Sequence, residues 1–318
     1  MSAPLYVVIG VTGPMGAAVA RQLLQSGRRV RGVNRSGRGQ VSEGVELVAA
    51  DVKDPDAARA ACAGASVVFQ CASAPYMDWS DPNSPQPLRW TNEADHLPAI
   101  TDGTIAGAAA AGARIVYGDN HYMYGPVDGP LTEEHPWNAS DEKGRARVRV
   151  ARRLLDAHAA GDVAVAIGCA SDFFGPQVLN STTGDRLFEP ALRGQESEIL
   201  GAPDMLHSYS FIDDVAAGLV TLGDRAEALG QVWNLPNDAP VTPRRFFQIV
   251  YEEAGHTAAI READDELRRR RGYQAHMMDR PFTVDHSKFE RAFGARPTPL
   301  RQAIRTTVEW FRQRQGAV

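Results

Sequence analysis

The chain contains very little lysine. Only three of its 34 basic residues are lysines, Lys53, Lys143 and Lys288, and the others are arginines. Acidic residues outnumber basic ones, and the formal net charge at pH 7 is −5. Because nucleic-acid-binding domains usually carry a basic patch and a high isoelectric point, this balance predicts no nucleic-acid partner.

Cysteines and long apolar runs are also scarce. The three cysteines, Cys62, Cys71 and Cys169, lie in apolar surroundings without CxxC spacing, which predicts reduced core residues and no disulfide. The histidines are too far apart to suggest a metal site. No apolar run approaches the ~18 residues of a membrane span, and the start of the chain lacks the basic region of a signal peptide. We therefore expect a cytoplasmic protein without membrane contact.

A glycine-rich turn near the start is the most informative feature that is present. It follows an apolar strand, Leu5–Ile9, and precedes a helix predicted over Met15–Ser26. Such a turn lets backbone N–H groups approach a pyrophosphate at the helix N-terminus, where the helix dipole favours anions. The turn therefore predicts a dinucleotide site that includes Gly10, Thr12, Gly13, Pro14, Met15 and Gly16.

Strands and helices alternate through the first half of the chain. This alternation predicts an α/β fold, a Rossmann doubly wound parallel sheet with helices on both faces. Ligands should bind at the carboxyl ends of the strands, which adds Cys71, Ala72 and Ser73 to the predicted cofactor site.

The end of the second predicted strand, Arg28–Asn34, bears on the choice of cofactor. Enzymes that prefer NAD usually carry Asp or Glu there, to bind the ribose hydroxyls. Here the position is Asn34, and Arg35 and Arg38 follow it. Without the acid, nothing repels a 2′-phosphate, and arginine offers it a forked set of donors, so we predict NADP rather than NAD.

Asp51 and Val52, at the end of the third strand, have two possible roles. They are placed to contact the adenine, and Asp51 could equally cap its own loop. Residues 73–90 form a proline-rich loop that is either a substrate lid or a packed loop. The tryptophans in this loop and Tyr76 favour an apolar or aromatic small-molecule substrate.

Several longer motifs are distributed along the whole chain. They are Gly10-x-x-Gly13-x-x-Gly16, Asp51-Val52, Tyr124-Gly125-Pro126, Phe174-Gly175-Pro176, residues 210–216, Arg296-Pro297-Thr298-Pro299 and Thr307-Val308-Glu309-Trp310. Together they resemble the extended short-chain dehydrogenase/reductase family, which includes sugar-nucleotide epimerases, dehydratases and 4-reductases. The resemblance implies an N-terminal cofactor domain, a smaller C-terminal α/β substrate domain, and a homodimer formed through helices near 96–111 and 142–159. We therefore expect an NADP-binding Rossmann domain over residues 1–175, with returning segments near 210–236, and a mainly substrate-binding domain over 176–318.

The family's catalytic pattern is Ser or Thr with Tyr-x-x-x-Lys, and none of the eight tyrosines here is followed by lysine four residues later. Aligned on the family, the three positions fall on Asn120, Lys143 and Arg147. The Asn120 amide could polarise a carbonyl, and Arg147 could hold ribose hydroxyls. His121 and Tyr122 are further candidates for carrying a proton, whereas the resemblance gives Tyr124 a packing role.

Lys143 has three readings. It could act in acid–base chemistry, it could form a Schiff base, or it could lie on a solvated basic helix face with Arg145, Arg149 and Arg152. The resemblance also places Asp172 in the loop after the sixth strand, where the family contacts the nicotinamide or the substrate, and this adds Asp172 to the predicted cofactor site. His207 and Tyr209 fall where substrate-binding residues of the family often occur. Asp213 and Asp214 are expected to cap a helix.

Three functions are compatible with these residues. The first is an NADP-dependent oxidoreductase that acts on a small organic carbonyl, enone or imine through a non-standard proton relay. The second is an NAD(P)-dependent epimerase or dehydratase that uses transient redox chemistry. The third is a catalytically silent NADP-binding sensor or scaffold.

Overall fold

The structure, a computed structural model, describes residues 3–73, 77–78, 86–87, 91–179, 181–270 and 279–316. Contacts divide the chain into two compact units. Unit 1 comprises Met1–Gly125, Pro136–Cys169 and Ala216–Trp233, and unit 2 comprises Pro126–His135, Ala170–Val215 and Asn234–Val318. Most of the proline-rich loop over residues 73–90, including Tyr76, lies outside the described residues.

The strands, in chain order, are β1 (Leu5–Ile9), β2 (Arg29–Asn34), β3 (Val45–Ala49), β4 (Ala65–Gln70), β5 (Met77–Asp78), β6 (Gln86–Pro87), β7 (Arg114–Asn120), β8 (Val165–Ala170), β9 (Asp172–Phe174), β10 (Ser197–Ile199), β11 (Tyr209–Phe211), β12 (Val232–Asn234) and β13 (Ile260–Glu262). The helices are α1 (Pro14–Gln25), α2 (Pro55–Cys62), α3 (Thr91–Ala111), α4 (Glu142–Ala159), α5 (Asp185–Leu192), α6 (Ile212–Asp224), α7 (Pro243–Ala254), α8 (Asp265–Arg270), α9 (Ser287–Phe293) and α10 (Leu300–Gly316).

A seven-stranded sheet with the order β12-β8-β7-β4-β1-β2-β3 forms the centre of unit 1. The pairs β1–β2, β2–β3, β1–β4 and β4–β7 are all parallel. Val7 and Val8 of β1 are fully buried, as expected for an inner strand covered by helices on both faces. This architecture confirms the predicted Rossmann α/β fold, and it brings the carboxyl ends of the paired strands to one edge.

Side-chain caps that follow from the local sequence mark the starts of two helices. The Asp54 side chain accepts a hydrogen bond from the backbone N–H of Asp56, and Pro55 is the first residue of α2. The Thr242 side chain caps α7 in the same way, by accepting from the N–H of Arg245.

The predicted cap of α6 is wrong. The helix already begins at Ile212, so Asp213 and Asp214 lie in its first turn. Asp214 instead accepts hydrogen bonds of 2.7 Å from both the backbone N–H and the hydroxyl of Thr298. The predicted role fails because a partner distant in sequence binds the carboxylate.

Unit 2 has an aromatic core. Phe188 stacks on Phe311 with ring centroids 5.2 Å apart, and Tyr209 stacks on Phe246 at 4.3 Å. The small parallel pairs β9–β11 and β10–β13 border this core. Within the described ranges, no helix is long and apolar enough to cross a membrane, and no cluster of three His, Cys, Asp or Glu side chains could hold a metal ion.

Candidate cofactor and catalytic sites

Two glycines of the turn after β1 are required by the fold. Gly10 has φ +83°, and a Cβ there would lie 2.7 Å from the backbone of Ala72. A Cβ on Gly16 would lie 2.3 Å from the carbonyl oxygen of Gly10. Both positions therefore exclude a side chain because α1 and the chain after β4 pack against the turn.

Gly13 differs from these two glycines. Its φ of −78° suits any residue, and a Cβ there would meet only the Gly10 oxygen, at an ordinary 3.4 Å. Gly13 is the N-cap of α1, no side chain caps the helix there, and Pro14 follows. Neither backbone conformation nor packing explains this glycine, whereas the approach of a ligand to the helix N-terminus would.

A cavity of about 450 Å³ lies beside this turn, lined by Thr12, Asn34, Arg35, Ser36 and Arg38. The Asn34 side chain shapes the loop that follows β2. Its amide donates to the carbonyl of Arg38 at 2.8 Å, and its oxygen accepts from the N–H of Gly37 at 2.7 Å. Asn34 thus holds Arg35 and Arg38 on a tight loop.

Arg35 and Arg38 are exposed, and neither forms an ion pair with a described residue. Nearby arginines of unit 1 differ, since Arg28 pairs with Asp224 at 2.7 Å and Arg31 with Glu46 at 3.0 Å. The positive charge at the cavity is therefore not neutralised by the described part of the protein, which suits a dianionic group.

The other predicted cofactor residues lie along the same sheet edge. Asp51 accepts from the N–H of Lys53 at 3.1 Å, so the loop-cap contact is present, and adenine binding stays a prediction. Val52 is buried. The backbone of Cys71 bonds to Ile9, and burial raises the pKa of its thiol to about 12. This thiol is thus protonated and is no nucleophile at neutral pH.

The glycine turn contacts the strand that carries the first catalytic candidate. A Cβ on Gly118 of β7 would lie 2.3 Å from the sulfur of Met15, so α1 packs directly against this strand. Asn120, two residues further along, is half-buried, and its side-chain oxygen accepts from the N–H of Tyr122 at 3.0 Å. Asn120 therefore orients the turn that presents Tyr122.

Arg147 lies in a buried ion pair. Its guanidinium donates to Asp119 at 2.6 Å and to the Tyr117 hydroxyl at 3.1 Å, and the two charged side chains are 4% and 0% exposed. The ribose contact suggested for Arg147 stays a prediction. No local pattern pairs Asp119 with Arg147, because the two residues are 28 positions apart in sequence, although an acid on a buried strand face calls for a nearby cation.

Lys143 is only 5% exposed. Its ammonium lies 4.1 Å from the centroid of the Tyr122 ring. The solvated-face reading is therefore wrong for Lys143, although Arg145, Arg149 and Arg152 are exposed as that reading expects. A helix position alone does not reveal that a neighbouring turn covers the side chain.

His121 and Tyr124 on either side of this turn are buried. Their exposed fractions are 1% and 0%, and their ring centroids lie 6.2 Å apart. The burial of Tyr124 agrees with its expected packing role. Of the two proton carriers suggested here, only Tyr122 retains partial exposure.

In unit 2, the structure brings Asp172 and His207 together. The Asp172 carboxylate lies 2.9 Å from Nε2 of His207, and the imidazole is 4% exposed whereas the carboxylate is 33% exposed. The His207 ring also packs between Tyr209 and Phe282, at 4.8 and 5.2 Å. The cofactor role of Asp172 stays a prediction.

The sheet order and the glycine turn define a Rossmann-type α/β protein. Residues 6–235 match the model of the NAD dependent epimerase/dehydratase family, and the chain belongs to this family.

Similar proteins span nearly the whole chain. An uncharacterized protein of Sinorhizobium fredii, y4nL, is 25% identical over 357 residues, covering 98% of this chain and 96% of that one. UDP-glucose 4-epimerase of Thermotoga maritima, solved with UDP-glucose, has a TM-score of 0.80 at 17% identity, covering 98% and 99% of the two chains. The dTDP-glucose 4,6-dehydratase DesIV of Streptomyces venezuelae, solved with NAD, has a TM-score of 0.81 at 19% identity over 98% of each chain. At these identities the solved structures support the fold.

Proposed function

We propose that the protein is an NADP-dependent oxidoreductase that acts on a small organic carbonyl, enone or imine. The observation that carries this proposal is the cavity after β2, where Arg35 and Arg38 are exposed and have no acidic partner among the described residues. Two guanidinium groups beside Thr12 and Asn34 suit the 2′-phosphate of NADP.

The residues of unit 1 fit the rest of the cofactor. Gly13 places no side chain at the N-terminus of α1, where a pyrophosphate would accept hydrogen bonds from backbone N–H groups. The adenine would lie toward Asp51 and Val52, and Cys71, Ala72 and Ser73 would border the site after β4. Asp172, a residue of unit 2, is a further proposed contact of the nicotinamide.

When bound, reduced NADP supplies a hydride, and the protein must supply the proton and polarise the substrate. We assign polarisation to the Asn120 amide and the acid–base work to the group formed by His121, Tyr122 and Lys143. We assign Arg147 a positioning role, because its guanidinium is held by hydrogen bonds to Asp119 and Tyr117.

A second candidate is an epimerase or dehydratase that oxidises and re-reduces its substrate. The family match favours it, as do the activities named for the solved epimerase and dehydratase. In a third candidate, a silent NADP-binding sensor, the changed catalytic positions carry out no chemistry.

Cofactor choice is tested by measuring the dissociation constants of NADP and NAD. We expect NADP to bind more tightly, and Arg35→Ala with Arg38→Ala to weaken NADP binding at least tenfold while NAD binding changes little. Arg29→Ala is the matched control, since Arg29 is exposed at the other end of β2. Tighter binding of NAD by the unmodified protein would refute the proposal.

The reaction class is tested by incubating the protein and NADPH with small ketones, enones and imines. The oxidoreductase predicts loss of nicotinamide absorbance in step with a reduced product. The epimerase or dehydratase predicts a changed product with no net change in cofactor, and the sensor predicts binding alone.

Three further proposals concern the molecule as a whole. Unit 1 would bind the cofactor and unit 2 the small-molecule substrate. The protein would act in the cytoplasm as a homodimer formed through α3 and α4, without nucleic-acid or membrane partners. Sedimentation equilibrium of the full chain tests the dimer.

A further inference from the structure

Lys143 and Tyr122 form a pair that is isolated from most of the solvent. The ammonium of Lys143 lies 4.1 Å from the centre of the Tyr122 ring, and the lysine is 5% exposed. A cation over an aromatic face is attracted by the electrons of the ring, and the attraction grows as water is removed. The same charge stabilises a negative phenolate oxygen more strongly than a neutral phenol.

The backbone fixes this pair from both sides. A Cβ on Gly144 would lie 2.5 Å from the carbonyl oxygen of Tyr122, so the lack of a side chain lets α4 approach the turn. Asp141 caps α4 through the N–H of Gly144 at 2.8 Å. On the other side, Asn120 holds the N–H of Tyr122. Three contacts that involve backbone atoms of Tyr122 or Gly144 therefore hold Lys143 beside Tyr122.

We propose that Tyr122 is the proton-transfer residue of the site and that Lys143 is its charge partner. The inference rests on the proposed oxidoreductase function. The Tyr122 O–H bond breaks as its proton passes to the substrate oxygen or nitrogen, while the adjacent carbon gains the hydride. The substrate is reduced and the cofactor oxidised, and the Tyr122 phenolate then recovers a proton from water.

The other charged groups near Lys143 and Tyr122 are the same with and without Lys143→Met, so a change in the Tyr122 titration reports the removal of the Lys143 charge. Arg147 and Asp119 neutralise each other in their buried pair. Close to Lys143 in sequence, on α4 and on the adjoining turn, the titratable or charged groups are Asp141, Glu142, Arg145, His121 and Tyr124, and further along α4 are Arg149, Arg152, Arg153, Asp156 and His158.

The first test needs neither substrate nor cofactor. Tyrosinate absorbance is titrated with pH in the full chain and in Tyr122→Phe, and the difference between them reports Tyr122. Adding Lys143→Met to both should move this difference to higher pH by about one unit or more. Lys53→Met is the matched control, since Lys53 lies in unit 1 and pairs with Asp51. An unchanged titration in Lys143→Met, with the fold intact by circular dichroism, overturns the proposal.

A second test separates a chemical role of Tyr122 from a packing role. Phenylalanine keeps the ring beneath the ammonium and removes only the hydroxyl, whereas leucine removes both. In the NADPH assay, Tyr122→Phe should lower kcat at least a hundredfold and leave the NADP dissociation constant unchanged. If Tyr122→Phe keeps its turnover while Tyr122→Leu and Lys143→Met lose theirs, the lysine carries the proton and the proposal is wrong.

The two proposals fail in distinguishable ways. Absence of NADP binding defeats the proposed function, whatever the titration shows. Normal NADP binding with no effect of Lys143→Met on the Tyr122 titration defeats only the assignment of the pair.

Discussion

At the scale of single residues, the glycines of the turn after β1 differ in whether the fold requires them. Gly10 and Gly16 have no room for a Cβ, because backbone atoms lie 2.7 and 2.3 Å from where it would stand. Gly13 has room for one, and its backbone conformation suits any residue. The same motif therefore contains two positions where the fold requires glycine and one, the N-cap of α1, where it does not.

Alanine substitutions should reveal this division. We expect Gly13→Ala to leave the melting temperature nearly unchanged and to weaken NADP binding at least tenfold, since a methyl group would occupy the space of the pyrophosphate. Gly16→Ala should instead cost about 1–3 kcal/mol of stability through overpacking. Thermal denaturation and a binding titration on both variants measure this. Equal NADP affinity in Gly13→Ala and the unmodified chain would contradict the ligand explanation.

At the scale of elements, β7 and α4 are joined by the buried pair of Asp119 and Arg147. Both side chains are almost completely withdrawn from solvent, and Tyr117 gives the guanidinium a further acceptor. Burying two charges costs solvation energy, which their attraction offsets only while both are present. The pair joins α4 to β7 one helical turn beyond Lys143.

Removing one partner should therefore be costly. We expect Arg147→Met to lower the free energy of unfolding by about 3–5 kcal/mol, because Asp119 would be left buried without its cation. Arg153→Met on the same helix is the control. Its partner Asp102 is exposed and 2.8 Å away, and exposed pairs contribute about 1 kcal/mol or less. Urea denaturation of both variants gives the comparison, and similar losses would show that burial is not the cause.

The sequence predicts elements well where a local signal exists. The strand Leu5–Ile9 has the predicted ends, and α1 (Pro14–Gln25) lies within one residue of the predicted helix Met15–Ser26 at each end. The predicted capping role of Asp214 is wrong because its partner Thr298 lies 84 residues away. The burial of Lys143 is likewise not predictable from local sequence, since it involves the turn at Tyr122, which meets α4 in the folded protein. Local pattern fixes element type, whereas tertiary contacts decide what each polar side chain does.

At the scale of the whole molecule, stability should depend on pH through two carboxylates of unit 2 whose pKa values are shifted in opposite directions. Hydrogen bonds from Arg305 and Arg301 hold the pKa of Glu253 below its ordinary value of 4.5. Burial raises the pKa of Glu133, although it accepts from the N–H of Asn234. Ionised Glu253 therefore stabilises the folded state, and ionised Glu133 carries an unfavourable cost of desolvation.

The two glutamine variants should change stability in opposite directions. At pH 7, Glu253→Gln should lower the free energy of unfolding, and this deficit should disappear as pH falls from 4.5 through the lowered pKa of Glu253. At pH 7, Glu133→Gln should raise the free energy of unfolding, and this gain should disappear as pH falls through the raised pKa of Glu133. Denaturation across a pH series measures both. Parallel pH profiles for the two variants would contradict these assignments, and added salt should weaken the Glu253 effect.

Because lysine is scarce and Lys143 is buried, the rate at which Lys143 is chemically labelled can report local opening of the protein. An amine-reactive reagent added in a pulse reaches exposed amines at once, and Lys53 is among them, with 32% of its side chain accessible. It reaches Lys143 only when the turn at Tyr122 parts from α4. With only three lysines to resolve by mass spectrometry, the labelling rate of Lys143 reports how often this part of unit 1 opens.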